Sequence, residues 1–202
     1  MKTITVEAKT LDDAKAQAML ELRVPAEHIE ITVLEKKGLV RKVLICEAKV
    51  TKDPAEVGYE LLTQTLERME IEAVVEMRKK SNNEIEYSIS SAENPILIGK
   101  NGKTLESIQF YLRHVINNYS DERQIGLIDV GGYKQNRKRQ LEIIATKTAK
   151  EVARSRVEAK LRPMNAYERR IIHTKLAEWR DVTTVSEGEG QDRHLVIKPK
   201  RR

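Results

Sequence analysis

At 202 residues, with 34% charged and only 4% aromatic residues and a formal net charge of +6, the chain has room for one large domain or two to three small ones, with cores built mainly from Leu, Ile, Val and Ala. A single cysteine, Cys46, excludes an internal disulfide and a cysteine-based zinc site. Apolar runs such as Val43-Leu44-Ile45-Cys46 are too short to span a bilayer, and the N-terminus alternates like a strand with no apolar signal region, so a cytoplasmic chain is expected.

The first elements form a small β-α-β-β unit over residues 1–52. Thr3–Ala8 alternates apolar and polar, Thr10 caps a helix from Leu11 to about Leu22, and Val24-Pro25 ends it. Strands at Glu30–Glu35 and Lys42–Val50 follow, around a turn at Lys36-Lys37-Gly38. Nothing in this unit has a catalytic pattern.

A second unit, residues 53–130, opens at Asp53-Pro54, since Pro suits the first helical position. Val57, Leu61, Leu62, Leu66 and Met69 share one face of that helix. Strands near Ile71–Met77 and Glu84–Ser90 flank a polar turn at Ser81-Asn82-Asn83. Asn94-Pro95 starts a very short helix, Gly99–Gly102 interrupts it, and a long helix runs from Lys103 to about Asn118, with Leu105, Ile108, Leu112 and Val115 at helical spacing. A strand at Ile125–Val130 closes an α-β-β-α-α-β order. The third unit, residues 131–202, begins with Gly131-Gly132 and a basic helix from Tyr133 to about Arg156. A strand at Glu158–Leu161, a helix capped by Asn165 with Glu168 as capping-box partner, and strands near Val182–Val185 and His194–Ile197 complete it.

Charge divides the chain unevenly. Residues 1–130 carry 18 Lys/Arg against 22 Asp/Glu, whereas residues 131–202 carry 19 against 9, which points to a polyanion partner for the last third. In Gly99-Lys100-Asn101-Gly102 two glycines allow a sharp turn and close backbone approach to a ligand. Amides at the start of the next helix, together with Lys100, Lys103 and Thr104, favour an anion. That chemistry clamps a sugar-phosphate backbone. Gly102-Lys103-Thr104 also ends like a phosphate loop, but that pattern needs glycine at position 97, where Leu97 stands, so ATP hydrolysis is excluded.

Arg169 and His173 lie at i and i+4 on one helix face and can address a single anion. Lys134, Arg137 and Lys138 in the preceding basic helix extend the same chemistry, alongside Arg139. No histidine spacing completes a metal site, and neither cofactor nor catalysis is expected.

The stretch Ile98-Gly-Lys-Asn-Gly-Lys-Thr-Leu-Glu-Ser-Ile-Gln109 resembles a type II K-homology domain. Pro163-Met-Asn-Ala-Tyr-Glu-Arg-Arg-Ile-Ile-His173, followed by Thr184-Val-Ser-Glu-Gly188, resembles an R-3-H domain, named for Arg-x-x-x-His. With the β-α-β-β unit in front, the whole chain resembles the bacterial Jag family, also called SpoIIIJ-associated, KhpB or EloR proteins. The resemblance implies an α+β protein of three small modules that binds single-stranded RNA without chemistry, single-stranded DNA remaining an alternative. It makes Gly99, Lys100, Asn101 and Gly102 the backbone clamp and Arg169 and His173 the phosphate-facing pair. It further implies a small K-homology partner, KhpA, and a role in cell elongation, cell-wall synthesis or sporulation. A homodimer and indirect contact with membrane proteins are also expected, and a protein-interaction adaptor is the competing function. One segment departs from the family: where many members read Lys-Lys-Gly-Phe-Leu-Gly, this chain reads Lys36-Lys-Gly-Leu-Val-Arg41, so no role of that segment is carried over. The long charged linker of some relatives is also absent before Asp53.

Overall fold

The computed structural model describes residues 2–37, 43–80 and 82–200. The departing segment at 38–41, Ser81 of the expected polar turn and the end of the basic tail lie outside the described residues. The chain is α+β with three small three-stranded sheets, arranged in two compact units, Met1–Gly131 and Gly132–Arg202.

The first sheet joins β1 (Thr3–Ala8), β2 (Ile29–Lys37) and β3 (Val43–Val50) in the order β1-β3-β2, all antiparallel. The helix α1 (Leu11–Leu22) lays Ala14, Ala18 and Leu22 on it, a stripe at helical spacing. Thr10 accepts the Asp13 amide, as a cap should. The helix stops at Leu22 because Arg23 turns left-handed (φ 59°) and returns its N–H to the Met19 carbonyl.

The middle of the chain follows the expected order. A helix α2 (Pro54–Arg68) leads into β4 (Ala73–Lys79) and β5 (Glu84–Ser91), a short α3 (Asn94–Ile98), a 3-10 turn at Lys100–Gly102, the long α4 (Lys103–Asn117) and β6 (Ile125–Val130). β4 pairs antiparallel and β6 parallel with β5. The alternation Ile85, Tyr87, Ile89 on β5 and Ile128, Val130 on β6 puts one apolar face under α2 and α4. This arrangement is consistent with a K-homology module.

The structure differs from the sequence pattern at the end of α2 and along α4. The strand expected from Ile71 begins at Ala73, because α2 ends in a reversal: Glu70 is left-handed (φ 57°) and the Ile71 N–H reaches back to the Leu66 carbonyl at 3.0 Å. Ile71 is thereby buried, while Met69, expected on the buried face, is 42% exposed. On α4 the buried residues are Leu105, Leu112 and Ile116, with Ile108 and Val115 only half-buried. Ile116 packs against Gly126 of β6, where a side chain would crowd its Cδ1.

The first two modules share a core. Val57 of α2 and Tyr119, just past α4, are buried among Ala18, Leu22, Val24, Ile29, Ala48 and Val50. Tyr119 also contacts His28, hydroxyl to Nδ1, at 3.0 Å. In the second unit, α5 (Tyr133–Ser155) and α6 (Ala166–Leu176) pack on a sheet of β7 (Ala159–Lys160), β8 (Val182–Glu187) and β9 (His194–Pro199), ordered β7-β9-β8. Its core contains Leu141, Ala145, Ala149, Ile172, Leu176 and Ile197. The small Ala145 and Ala149 suit close helix packing.

Candidate nucleic-acid interface

The first candidate site is built on α3. Pro95 occupies its first turn, and Leu97 is buried at 1% exposure, which anchors the helix in the core. That anchoring also explains why position 97 cannot serve as a phosphate-loop glycine. The Gly99 N–H closes α3 onto the Pro95 carbonyl at 2.9 Å. Gly99 then adopts φ 68°, ψ −177°, a region open essentially only to glycine, and a Cβ there would overlap the Thr104 hydroxyl. Asn101 (φ 56°, ψ 30°) and Gly102 (φ 78°, ψ 9°) are both left-handed. The loop is one tight turn that presents Lys100 and Asn101 to solvent while Gly102 is buried beneath them.

The N-cap Gly102 gives α4 no side-chain hydrogen bond, the Lys103 N–H is taken by the Lys100 carbonyl within the turn, and the positive helix end faces the loop. Lys103 is exposed and Thr104 is half-buried against Gly99. Gln109 accepts the Ile128 N–H through Oε1 at 3.0 Å, fixing α4 to β6. The five positions Gly99 to Lys103 thus form one tight turn with Lys100, Asn101 and Lys103 exposed.

The second candidate site lies on α6. Asn165 caps it, accepting the Glu168 N–H at 2.9 Å. Arg169 and His173 share a face, as their spacing requires, but each already has a partner. Arg169 donates from Nη1 to the Met164 carbonyl at 2.7 Å, bracing the segment that enters the helix. The His173 Nδ1 lies 2.6 Å from the Thr184 hydroxyl on β8, which leaves its other ring nitrogen for a ligand. Thr184 therefore joins the site as the residue that orients the imidazole, and the Thr-Val-Ser-Glu-Gly stretch gains a structural reason for following the helix motif.

The basic helix residues separate. Arg137 is turned inward, donating from Nε to Glu168 Oε1 at 2.6 Å, with the Glu168 side chain only 5% exposed. The other Glu168 oxygen is buried without a hydrogen-bond partner. An inward Arg was not legible from the sequence, where Glu168 reads only as a capping residue. Lys134 and Lys138 are exposed, and Lys138 faces α6 beside Tyr167 and Arg170. Among the described residues, no group of three or more His, Cys, Asp or Glu is placed to hold a metal. No helix among them is long and apolar enough to cross a membrane.

Two family models match parts of the chain. Residues 139–199 match the R-3-H domain, which contains α6 with Arg169 and His173, and residues 6–39 match the Jag N-terminus. The chain is similar over its whole length to the RNA-binding protein KhpB of Clostridium symbiosum, at 32% identity and covering 93% of that protein. It is equally similar in extent to KhpB of Bacillus subtilis, at 30% identity and covering all of it. KhpB of Streptococcus pneumoniae serotype 2 is 26% identical over 98% of this chain and 58% of its own length. With whole-length relatives at this level of identity, an R-3-H match around the Arg169 helix and a Jag N-terminal match on the first sheet, the chain belongs to the Jag family of KhpB proteins.

Proposed function

We propose that this protein binds single-stranded RNA without chemistry, gripping the backbone at Gly99–Gly102 and at the Arg169/His173 face of α6. The observation that carries the reading is the loop geometry. Three backbone positions in the left-handed half of conformational space, a helix start with a glycine N-cap and exposed Lys100 and Asn101 make a turn suited to phosphate. The relatives' name, RNA-binding protein, supports RNA as the ligand. Aromatics are scarce, so base reading falls to hydrogen bonds and apolar contacts.

The test is RNA affinity of Lys100→Asp/Asn101→Asp protein whose melting curve matches the parent. Loss of roughly tenfold or more is expected from removing one positive contact and adding two repulsive charges; unchanged affinity sinks the clamp. Arg169→Ala is expected to weaken binding across sequences and to flatten the salt dependence by about 0.7 in log–log slope for one lost phosphate contact on a single strand. An unaltered slope would mean that Arg169 serves only to brace Met164.

By family, the protein acts as a post-transcriptional regulator tied to cell elongation, cell-wall synthesis or sporulation, with the small K-homology protein KhpA as partner. The adaptor reading draws on one observation, the exposed Leu11, Met19 and Leu20 on α1. Crosslinking in cells separates the two, since protein partners recovered without RNA favour the adaptor. Competition by DNA of the same sequence decides between RNA and single-stranded DNA.

A further inference from the structure

The structure redistributes positive charge in the second unit. Of the residues that sequence spacing selects there, Arg137 is bound to Glu168, Arg169 to a backbone carbonyl and His173 to Thr184. A set of cations that keeps Lys138 and Arg139 of the sequence reading and adds four more is unengaged. Lys138, Arg139, Lys147 and Lys150 on α5 and Arg170 and Lys175 on α6 are all exposed. None of the six has an ion-pair partner among the described residues.

These six line one trough. Two adjoining depressions of about 500 and 540 Å³ run along the contact of α5 with α6 and share Glu142 and Lys175. Only Glu142 and Glu178 carry opposite charge in the lining. From Lys138 to Lys150 the α5 wall spans about 18 Å at helical rise. Tyr167, 63% exposed, stands on the α6 wall, and Ile143, 67% exposed, on the α5 wall. The Arg137–Glu168 pair joins the two helices next to Lys138 and Tyr167, with Glu168 buried, so the two walls are held in place before any ligand arrives.

We propose that the α5–α6 trough is a second single-stranded RNA track, distinct from the Arg169/His173 face, in which phosphates lie along the lysines and arginines and an unpaired base stacks on Tyr167. The proposal rests on the reading of this protein as an RNA binder. An elongated trough with cations in threefold excess and a solvent-facing aromatic ring matches the combination that single strands need: charge for the backbone and a flat surface for a base. An acidic peptide would use the charge but would leave the ring without a base to stack on it.

The experiment titrates the full chain with a fluorescein-labelled 15-nucleotide oligouridine at several salt concentrations, reading anisotropy. The variant Lys138→Gln/Arg170→Gln/Lys175→Gln changes only exposed side chains, and its melting curve serves as the folding control. It is expected to lose about tenfold or more in affinity and about 2 in log–log salt slope, for three phosphate contacts at roughly 0.7 each. Tyr167→Ala is expected to lose about fivefold or more with the slope unchanged, as for a stacked base. If the triple variant keeps both affinity and slope while Lys100→Asp/Asn101→Asp loses binding, the trough is refuted and the loop stands. If the loop variant binds normally while the triple variant fails, the trough stands and the loop clamp is refuted. A 15-base-pair RNA duplex that competes as well as the single strand overturns the single-strand assignment. Oligoglutamate that competes better than oligouridine overturns RNA as the occupant.

Discussion

Gly58, in the second turn of α2, shows how tightly single atoms set the frame under the loop. Tyr87 of β5 is fully buried and donates its hydroxyl to the Ala55 carbonyl at 3.0 Å. Burial, reinforced by the nearby Asp53 charge, pushes its pKa well above the usual phenol value, so the hydroxyl stays a donor at any physiological pH. A Cβ on Gly58 would overlap that hydroxyl and press on Leu112 of α4. Helix propensity alone favours alanine over glycine by about 1 kcal/mol, but overpacking a rigid core costs about 1–3 kcal/mol. Because Tyr87 cannot retreat, Gly58→Ala is expected to be net destabilising, seen as a lower urea midpoint with an unchanged slope. Tyr87→Phe should cost about 1 kcal/mol for the lost hydrogen bond, yet the double variant should be less unstable than the sum, because losing the oxygen removes the worst overlap and leaves the ring carbon at 2.7 Å to be relieved by a small shift. Additive losses would show that the two positions do not share this space. The sequence displays Gly99 and Gly102 as a pair bounding a loop. It hides Gly58, whose reason lies on a strand 29 residues away.

At the scale of elements, the starts of the helices are legible in the sequence, and so are the stops of α1, α4 and α5 to within a residue, but not the reversal that ends α2. Asp53-Pro54 marks the start of α2, and Asp53 accepts the Ala55 N–H at 2.8 Å while also taking Lys79 from β4 at 2.8 Å. Partial burial works to raise the Asp53 pKa, but the Lys79 and backbone hydrogen bonds outweigh it, and the carboxyl titrates below its ordinary 3.8. A carboxyl with a depressed pKa contributes stability above its unfolded value and loses it as pH falls through the folded one. Asp53→Ala is therefore expected to cost about 1 kcal/mol at neutral pH, with the gap from the parent closing below about pH 3.8. A gap that persists at pH 2 in urea melts would rule out the ionised cap as the cause. The stop of α2 is set at Glu70, which is left-handed without being glycine. A charged side chain there carries no turn signal, and this is why the pattern starts the strand after α2 two residues early. Glu70→Gly should raise stability by about 0.5–1 kcal/mol by relieving the left-handed strain. No gain would mean that the Glu70 side chain supports the reversal in some other way.

At the scale of the whole molecule, pattern divides the chain into three modules, while packing joins the first two. Periodicity identifies the α2 stripe with Val57, Leu62 and Leu66, but not that its Val57 end joins Ala18 and Leu22 of α1 in one core. The α5–α6 trough is hidden for the same reason, since Lys138 and Arg170 are 32 positions apart and become neighbours only when two helices pack. In the first unit the decisive contacts are Val57 and Tyr119, which enter the core of the front sheet beside Leu22. If that core is common property, a cavity on one side must loosen the other. Leu22→Ala, at a fully buried site, should cost about 2–5 kcal/mol. Native-state hydrogen exchange would locate the loss, because amides that exchange through a shared opening accelerate together. The expected outcome is faster exchange both in the paired strands β1 to β3 and at Tyr87 and Ile128 in the middle sheet. Acceleration confined to β1 to β3 would show that the front module opens alone, and that α2 and α4 hold the Gly99–Gly102 loop without its help.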